Sequence, residues 1–313
     1  MAMRRWLVQR LVKKSGHVWP ITPKAARKPQ GWTGWPDGKQ FALVLTHDVE
    51  GPAGLAKCRD VMNLERKLGF RSSFNFIPEG DYSTPAGLRD ELVGSGFEVG
   101  VHDLHHNGKL YRSRKDFERA ALKINKYLRE WNAVGFRSGF MHHRLDWLHL
   151  LDIEYDMSTF DTDPFEPQPD GVDTIFPFCV SAPETRPPSP AHAGSTPPRY
   201  IEMPYTLPQD STLFLFLEET TLAIWKAKLA WIAKQGGMAL LNTHPDYMSF
   251  SSERGVSHYR ASLYADFLTH VRSEYEGLFW EALPQDVARF ASSPRGKAER
   301  IAHNIRQDMA TPG

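Results

Sequence analysis

The chain has 313 residues, of which 41% are hydrophobic and 24% charged, and its formal net charge is +1. These values are typical of an ordinary globular protein with room for one catalytic domain. A nucleic-acid-binding protein is not expected, because no basic stripe with interleaved aromatic residues follows the first 36 residues. With only two cysteines, Cys58 and Cys179, a disulfide framework is not expected.

The positive charge is concentrated at the start of the chain. Residues 1–36 contain eight Lys or Arg residues and no acidic residue, whereas the rest contains 30 basic and 37 acidic residues. Over residues 1–14 the apolar and basic residues alternate, which indicates either an amphipathic helix on an anionic membrane or a solvated or partner-packed arm. The segment lacks the continuous apolar core of a signal peptide. We therefore expect a cytoplasmic protein, with peripheral contact of residues 1–14 to the inner face of the membrane as one of the two alternatives.

Strand-like apolar runs alternate with segments of helical periodicity along the chain. In chain order, the pattern predicts strands at 41–46, 71–77, 97–101, 133–136, 155–160, 174–180, 200–206 and 238–242, and helices at 55–68, 114–131, 220–234 and 257–274. Such alternation is typical of a mainly parallel α/β architecture. Seven or eight strands favour a closed or nearly closed barrel, and no GxGxxG motif follows the first strand to indicate a dinucleotide-binding sheet.

The sequence divides into one barrel domain and two terminal segments. The barrel is predicted over residues 37–296, between the basic arm 1–36 and a polar tail 297–313. Within the barrel, residues 183–198 contain six prolines and little apolar content, which predicts an exposed loop.

Polar residues with catalytic potential stand at the ends of four predicted strands. In a barrel of alternating strands and helices, the carboxyl ends of the strands meet at one face, where such enzymes place their active sites. Residues far apart in the sequence can therefore converge there. The candidates at these ends are Asp48, Glu50, His102, His106, Arg137 and His244.

The histidines and the acidic residues together predict a metal site. His102 and His106 are four residues apart, which lets both imidazoles point the same way from one turn. Two imidazoles and a carboxylate form a zinc-type ligand set that leaves one position open for water. Alone, such a histidine pair more often reflects local hydrogen bonding. Asp48 and Glu50 can divide the roles of anionic ligand and proton-accepting base between them.

Arg137 and His244 can complete a hydrolytic site. A bidentate contact from Arg137 can hold the base carboxylate ionised and oriented. His244 can protonate the leaving group or stabilise an oxyanion. Considered singly, a structural ion pair explains Arg137 equally well, and a backbone hydrogen bond explains His244.

The motifs that carry these residues resemble those of a known family, the polysaccharide deacetylases, which form the NodB-homology group of the carbohydrate esterases. In order, they are THDVEGP (46–52), GVHDLHHNG (100–108), GFRSG (135–139) and LLNTHPD (240–246). The resemblance covers about residues 37–290, and its most specific element is FEVGVHDLHH. A further run, YIEMPYTLPQDSTLF (200–214), resembles the intracellular, biosynthesis-associated branch of the superfamily.

The resemblance implies a fold, an activity and a set of roles. The fold is a distorted (β/α) barrel of about seven strands, and the cofactor is a divalent metal, with zinc as the expected ion. Relatives remove acetyl groups from N-acetylated sugars or peptidoglycan, so the expected substrate is an acetylated sugar or glycan precursor. The implied roles are metal ligand for Glu50, His102 and His106, base for Asp48, support of the base for Arg137, acid for His244, and orientation of His244 for Asp161.

Two departures from the family pattern leave alternatives open. The first motif of the family usually has adjacent aspartates, but here Val49 separates Asp48 from Glu50, so Asp48 can also be the ligand. The third motif has Ser138 and Gly139 where a proline is usual. Alternative functions are therefore a cyclic amide or imide hydrolase of the allantoin type, and a barrel that binds glycan or metal without turnover.

Overall fold

The computed structural model describes residues 10, 12–182, 199–251 and 257–293. The proline-rich loop 183–198, the tail 297–313 and most of residues 1–14 lie outside the described residues, so the expectations for them stay predictions. Within the described part of the chain, no helix is both long enough and apolar enough to cross a membrane.

Eleven short strands occur in the described residues. They are β1 (Phe41–Val49), β2 (Ser73–Phe76), β3 (Glu98–His102), β4 (Gly135–Arg137), β5 (Tyr155–Asp156), β6 (Phe178–Ser181), β7 (Arg199–Glu202), β8 (Met238–Thr243), β9 (Met248–Ser249), β10 (Tyr259–Arg260) and β11 (Phe279–Glu281). Nine of them form one sheet, while β9 and β10 pair separately.

The nine-stranded sheet curls into a barrel around β1. This strand pairs in parallel with β8 on one side and with β11 and β2 on the other, and the sheet continues through β3, β4 and β5 to β7. Beyond β7, two isolated bridges continue the pairing: Tyr205 pairs with Phe160, and Leu207 pairs with Leu241 of β8. These bridges bring the two sides of the sheet together. Only β6 runs antiparallel, against β7. The structure confirms the expected α/β barrel. Seven strands follow one another around it in the order β8, β1, β2, β3, β4, β5 and β7.

Six helices surround the described part of the sheet. They are α1 (Pro52–Leu68), α2 (Ala86–Gly94), α3 (Arg114–Trp131), α4 (Ala223–Gln235), α5 (Ala261–Tyr275) and α6 (Pro284–Ser292). Four of them overlap the predicted helices, and the other two have only nine residues each. The Ser113 side chain caps α3 by accepting from the Asp116 amide at 3.1 Å. Gly69, at φ 76°, ends α1 in the left-handed conformation that glycine adopts without strain.

Part of the predicted basic arm packs against the barrel. Trp19 is only 4% exposed, and its ring makes an edge-to-face contact with Phe165 at 5.0 Å between centroids. Ala25 is fully buried, and its carbonyl accepts from the Ile175 amide at 3.0 Å. The Pro20 carbonyl accepts from the Lys228 ammonium. Residues 19–25 therefore contribute to the main hydrophobic core.

We predict that Trp19→Ala lowers the free energy of unfolding by about 3 kcal/mol or more, because it removes a buried indole and leaves a cavity. Denaturant titration followed by circular dichroism measures the change. Leu122→Ala is the control, since Leu122 is 74% exposed and its truncation should cost less than about 0.5 kcal/mol. Equal stabilities of the two variants would contradict the prediction.

Candidate active site

The candidate site lies where the carboxyl ends of β1, β3, β4 and β8 meet. His102 and Arg137 are the last residues of β3 and β4, and His244 directly follows β8. β1 extends three residues beyond its predicted end, so Asp48 lies within the strand and Glu50 follows it. The convergence expected from the strand ends is therefore present in the structure.

Alternation along β1 separates the acidic residues from their neighbour His47. Successive side chains of a strand point to opposite faces, so Asp48 and Glu50 share one face and both line a cavity. His47 points the other way and is fully buried, with Nε2 2.8 Å from Glu65 Oε1 and Nδ1 2.7 Å from Thr243 Oγ1. His47 thus ties β1 to α1 and β8 and does not enter the cavity.

Glu50, His102 and His106 form a cluster suited to a divalent cation. Their nearest ligand atoms all lie within 4.8 Å of one another, and Glu50 Oε1 is 3.2 Å from His106 Nε2. His102 Nδ1 donates a hydrogen bond to the Arg137 carbonyl at 3.1 Å. The buried Nε2 has no hydrogen-bond partner among the described residues. An imidazole anchored in this way presents a free lone pair, so the donor set fits a zinc-type ion.

Burial and charge set the protonation of this cluster. Burial lowers the pKa of His102, which favours the neutral ring that a metal ligand needs. Burial alone would raise the pKa of Glu50, but the charge of His244 and the hydrogen bond from His106 lower it to about 2. Tyr247 Oη also donates to Glu50 Oε2 at 2.7 Å. Glu50 is therefore a carboxylate at neutral pH.

The loop that carries His106 has a strained backbone. His106 and Asp103 have φ values of 49° and 55°, in the left-handed region that residues other than glycine seldom adopt. Gly139 packs against them, and a Cβ at that position would lie 2.6 Å from Asp103 Oδ2 and 2.8 Å from His106 Cδ2. Phe140 stacks on the His106 ring at 4.6 Å. Strain of this kind is often found at functional sites.

Asp48 lies in a polar pocket beside the cluster of Glu50, His102 and His106. Its Oδ1 accepts from Asn75 Nδ2 at 3.0 Å and from Arg137 Nη1 at 3.2 Å, and its Oδ2 accepts from Asn242 Nδ2 at 2.8 Å. Burial alone would raise the pKa of Asp48, but the charge of Arg137, with His102 and His244, holds it well below its usual range. Asp48 is therefore ionised and firmly oriented.

Arg137 contacts Asp48 through one nitrogen, so the expected bidentate contact is wrong. The guanidinium is fully buried, and its Nη1 also donates to Thr46 Oγ1 at 2.8 Å and to Asn242 Oδ1 at 2.5 Å. Its Nε donates to the Met157 carbonyl at 2.9 Å. The guanidinium is shared between β1, β8 and the residue that follows β5, so only Nη1 reaches the Asp48 carboxylate.

His244 is held by Asp210, a residue that the sequence analysis missed. His244 Nδ1 lies 2.7 Å from Asp210 Oδ1, and the His244 amide donates to Asp210 Oδ2 at 2.8 Å. Tyr259 Oη donates to the same oxygen at 3.0 Å. Burial alone would lower the pKa of His244, but the charge of Asp210, with that of Glu50, raises it to about 10. His244 therefore carries a proton that it can donate.

The expectation that Asp161 orients His244 is wrong. Asp161 Oδ2 is paired with Lys228 Nζ at 2.5 Å, and both side chains are almost fully buried. A buried ammonium requires a counter-charge, which Asp161 supplies. The only sequence signal for Asp210 was its place in YTLPQDSTLF, shortly after the predicted strand 200–206.

Asp246, also missed, shapes the turn that carries Glu50. Its carboxylate accepts from the Glu50 amide at 2.9 Å and from the Gly54 amide at 3.0 Å. Its signal was its position in the fourth motif, LLNTHPD, two residues after His244. Asp246 thereby ties the end of β8 to the start of α1.

Asp48, Glu50, His102 and His244 line a partly open cavity of about 260 Å³. Its lining also includes other polar side chains, aromatic rings and a further carboxyl group, some of them from a π-helix over Ser211–Phe216. An ionised carboxylate, a protonated imidazole and two members of the cation cluster thus share one cavity, which is an arrangement suited to hydrolysis.

We predict that Asp210→Asn lowers the pKa of His244 from about 10, because it removes the charge that raises this pKa most. NMR titration of the histidine rings in chelator-treated protein measures the value. Asp152→Asn is the matched control, since Asp152 pairs with Arg129 at the surface. An unchanged pKa in Asp210→Asn would contradict the prediction.

Comparison with known proteins finds similarity to solved structures. No family model matches the sequence, and no curated protein matches it. A protein assigned as a polysaccharide deacetylase, from Mycobacterium smegmatis, has a TM-score of 0.59 and 18% identity, with 84% of this chain and 93% of that chain covered.

Two other solved structures are more distant. One is a family 4 acetyl xylan esterase from Clostridium thermocellum, solved with a cobalt ion (TM-score 0.46, 12% identity, 81% and 93% covered). The other is assigned as a polysaccharide deacetylase involved in O-antigen biosynthesis, from Bordetella bronchiseptica (TM-score 0.42, 17% identity, 82% and 86% covered). The fold assignment depends on the Mycobacterium smegmatis structure alone. On that structure, and in agreement with the four sequence motifs, this chain has the fold of the polysaccharide deacetylases.

Proposed function

We propose that this protein is a metal-dependent hydrolase that removes the acetyl group from an N-acetylated sugar or glycan precursor. One observation carries the proposal: the unpartnered, buried Nε2 of His102 lies in a cluster with Glu50 and His106, beside an oriented carboxylate and a charged imidazole. Metal-assisted hydrolysis needs these three components within reach of one substrate carbonyl.

The contacts favour one division of roles between the two acidic residues. Glu50 lies within reach of both His102 and His106, which supports it as the anionic ligand. Asp48 contacts Arg137, Asn75 and Asn242 instead. We therefore assign Glu50 to the metal and Asp48 to the proton transfer. A divalent cation, with zinc as the expected ion, would supply Lewis-acid chemistry when bound by Glu50, His102 and His106.

The remaining residues move protons. Asp48 accepts a proton from the attacking water, since its carboxylate is kept ionised by Arg137. His244 donates a proton to the departing amine, and Asp210 holds its ring in position for that transfer. The two groups line one cavity with Glu50 and His102, so a single acetamido group can meet all four side chains.

We predict that His102→Ala abolishes both metal binding and acetate release, because it removes a cation ligand. Metal content by mass spectrometry and acetate release from N-acetylated sugars are measured together. His105→Ala is the matched control: His105 is 43% exposed and bonds to the Glu79 carbonyl, so this variant should keep both properties.

Assays with N-acetylated sugars and with a cyclic amide separate the proposed function from its alternatives. Turnover of a cyclic amide without acetate release would identify an allantoin-type hydrolase. Stoichiometric metal without any turnover would indicate a non-catalytic barrel. Acetate release from metal-free protein would refute the proposal.

We also propose that residues 1–14 contact the anionic inner face of the membrane. Five basic residues alternate there with apolar residues. The described chain just beyond them makes a turn, in which the Ser15 carbonyl accepts from the Val18 and Trp19 amides. The first fourteen residues therefore precede the packed segment at Trp19.

We predict that deletion of residues 1–14 weakens binding to vesicles containing phosphatidylglycerol at least about tenfold, because basic residues near an anionic surface each contribute attraction. Co-sedimentation of the full and shortened chains measures the difference. Neutral phosphatidylcholine vesicles are the control. Equal partitioning of the two chains would contradict membrane contact.

A further inference from the structure

Part of the cavity lining has no task in the proposed reaction. It consists of the rings of Phe140, Phe165 and Phe216 together with the polar side chains of Glu166 and Gln209. The Phe165 and Phe216 rings contact each other at 5.5 Å between centroids. Rings and a carboxyl group beside the unpartnered His102 Nε2 indicate that this cavity recognises a ligand.

One carboxyl oxygen of Glu166 is held by hydrogen bonds, and the other is available to a ligand. Its Oε1 accepts from Tyr205 Oη at 2.7 Å and from Gln209 Nε2 at 2.5 Å. No donor from the described part of the chain reaches its Oε2. The carboxyl group is therefore fixed by the protein yet keeps acceptor capacity for a ligand.

A chain of amide contacts holds Glu166 at a constant distance from the proposed base. Gln209 Oε1 accepts from Asn242 Nδ2 at 3.0 Å, and the same Asn242 nitrogen donates to Asp48 Oδ2 at 2.8 Å. Any ligand group bound by Glu166 is thus positioned relative to Asp48.

A second buried carboxyl group shares the Tyr205 contact with Glu166. Tyr205 Oη also lies 2.9 Å from Asp163 Oδ2. Burial raises the pKa of both carboxyl groups, and the charge of Glu166 adds to the rise at Asp163. Whichever of the two holds a proton, the second oxygen of Glu166 can accept a hydrogen bond from a ligand.

The size of the cavity indicates how much of a ligand it can enclose, since the cavity is partly open to solvent. About 260 Å³ is below the usual range of roughly 300 to 1,000 Å³ for small-molecule pockets, so the space suits one sugar ring with its acetamido group. Aromatic rings offer apolar surface to the carbon face of such a ring, and a carboxylate accepts strong hydrogen bonds from its hydroxyls.

We propose that Glu166 binds the ring hydroxyls of a single neutral N-acetylated pyranose unit, and so selects monosaccharide-sized or chain-terminal substrates over the interior of a long glycan. The inference deepens the proposed deacetylase function and depends on it for the acetamido group. Glu166 would touch the substrate without taking part in proton transfer.

The test measures binding of sugars to the metal-loaded full chain by isothermal titration calorimetry. The probes are the methyl glycosides of N-acetylglucosamine, N-acetylgalactosamine and N-acetylmannosamine, and deoxy analogues of whichever binds best. Glu166→Gln should weaken binding of the best ligand about tenfold or more, as expected for loss of a charge-assisted hydrogen bond. Asp170→Asn is the matched control and should stay within about twofold, because Asp170 is 68% exposed and outside the cavity lining.

The deoxy analogues test the same contact without a substitution in the protein. At least one of them should bind the unchanged chain about tenfold more weakly than its parent, and should show no such loss on Glu166→Gln. An unchanged chain that binds every deoxy analogue as tightly as the parent would overturn the proposal, even if the variant fails to fold. Absence of binding by all three parent sugars would overturn it as well.

Two further outcomes separate this inference from the proposed function. Acetate release from an N-acetylated substrate by both the unchanged chain and Glu166→Gln at equal KM would leave the function standing and overturn the role of Glu166. Sugar binding that depends on Glu166, without acetate release, would support the recognition site and overturn the hydrolase. A tetrasaccharide that binds more than about tenfold tighter than the monosaccharide would overturn the single-unit selection.

Discussion

The buried guanidinium of Arg137 is the interaction on which the candidate site depends. Its Nη1 joins Thr46 and Asp48 of β1 to Asn242 of β8, while its Nε reaches the Met157 carbonyl beyond β5. A fully buried cation is costly unless a counter-charge and good hydrogen bonds compensate for its lost hydration. Asp48 is that counter-charge. The pairing that keeps Asp48 ionised therefore also holds neighbouring strands of the barrel in register.

The backbone of Arg137 extends this control to the cluster of Glu50, His102 and His106. Its carbonyl accepts from His102 Nδ1 at 3.1 Å and from the Asp103 amide at 2.8 Å. The first contact selects the tautomer in which Nε2 is free to bind a cation, and the second anchors the strained turn toward His106. One residue at the end of β4 thus keeps Asp48 ionised with its side chain and orients the His102 ring with its main chain. Substitution of Arg137 would disturb both, whereas Asp210 contacts His244, Tyr259 and the Ser211 amide and neither of these groups.

Much of the fold and part of the site were predictable because strand ends are readable from local patterns. Apolar runs followed by Asp48, His102, Arg137 and His244 place each residue at the same edge of a parallel sheet, whatever the details of the helices. The misassignment of Asp161 shows the limit of that reasoning. Asp161 also stands near a strand end, but it forms an ion pair with Lys228 from α4. No local pattern reveals which helix will bring an ammonium group to it. Asp210, Asp246 and Glu166 were missed for the same reason, since their contacts depend on how the segments after β5, β7 and β8 fold back.

The amino-acid sequence by itself determined the alternation of strands and helices, the strand ends that carry the polar residues, and the chemical types of side chain that stand there. Periodicity and side-chain chemistry are local properties, so they can be recognised without knowing the path of the chain. Only the tertiary structure decided that Glu50 joins the histidines while Asp48 joins Arg137, that Asp210 holds His244, and that a carboxyl group from Glu166 faces the same cavity. These are pairings between residues distant in sequence, and they follow from the curvature that closes the sheet.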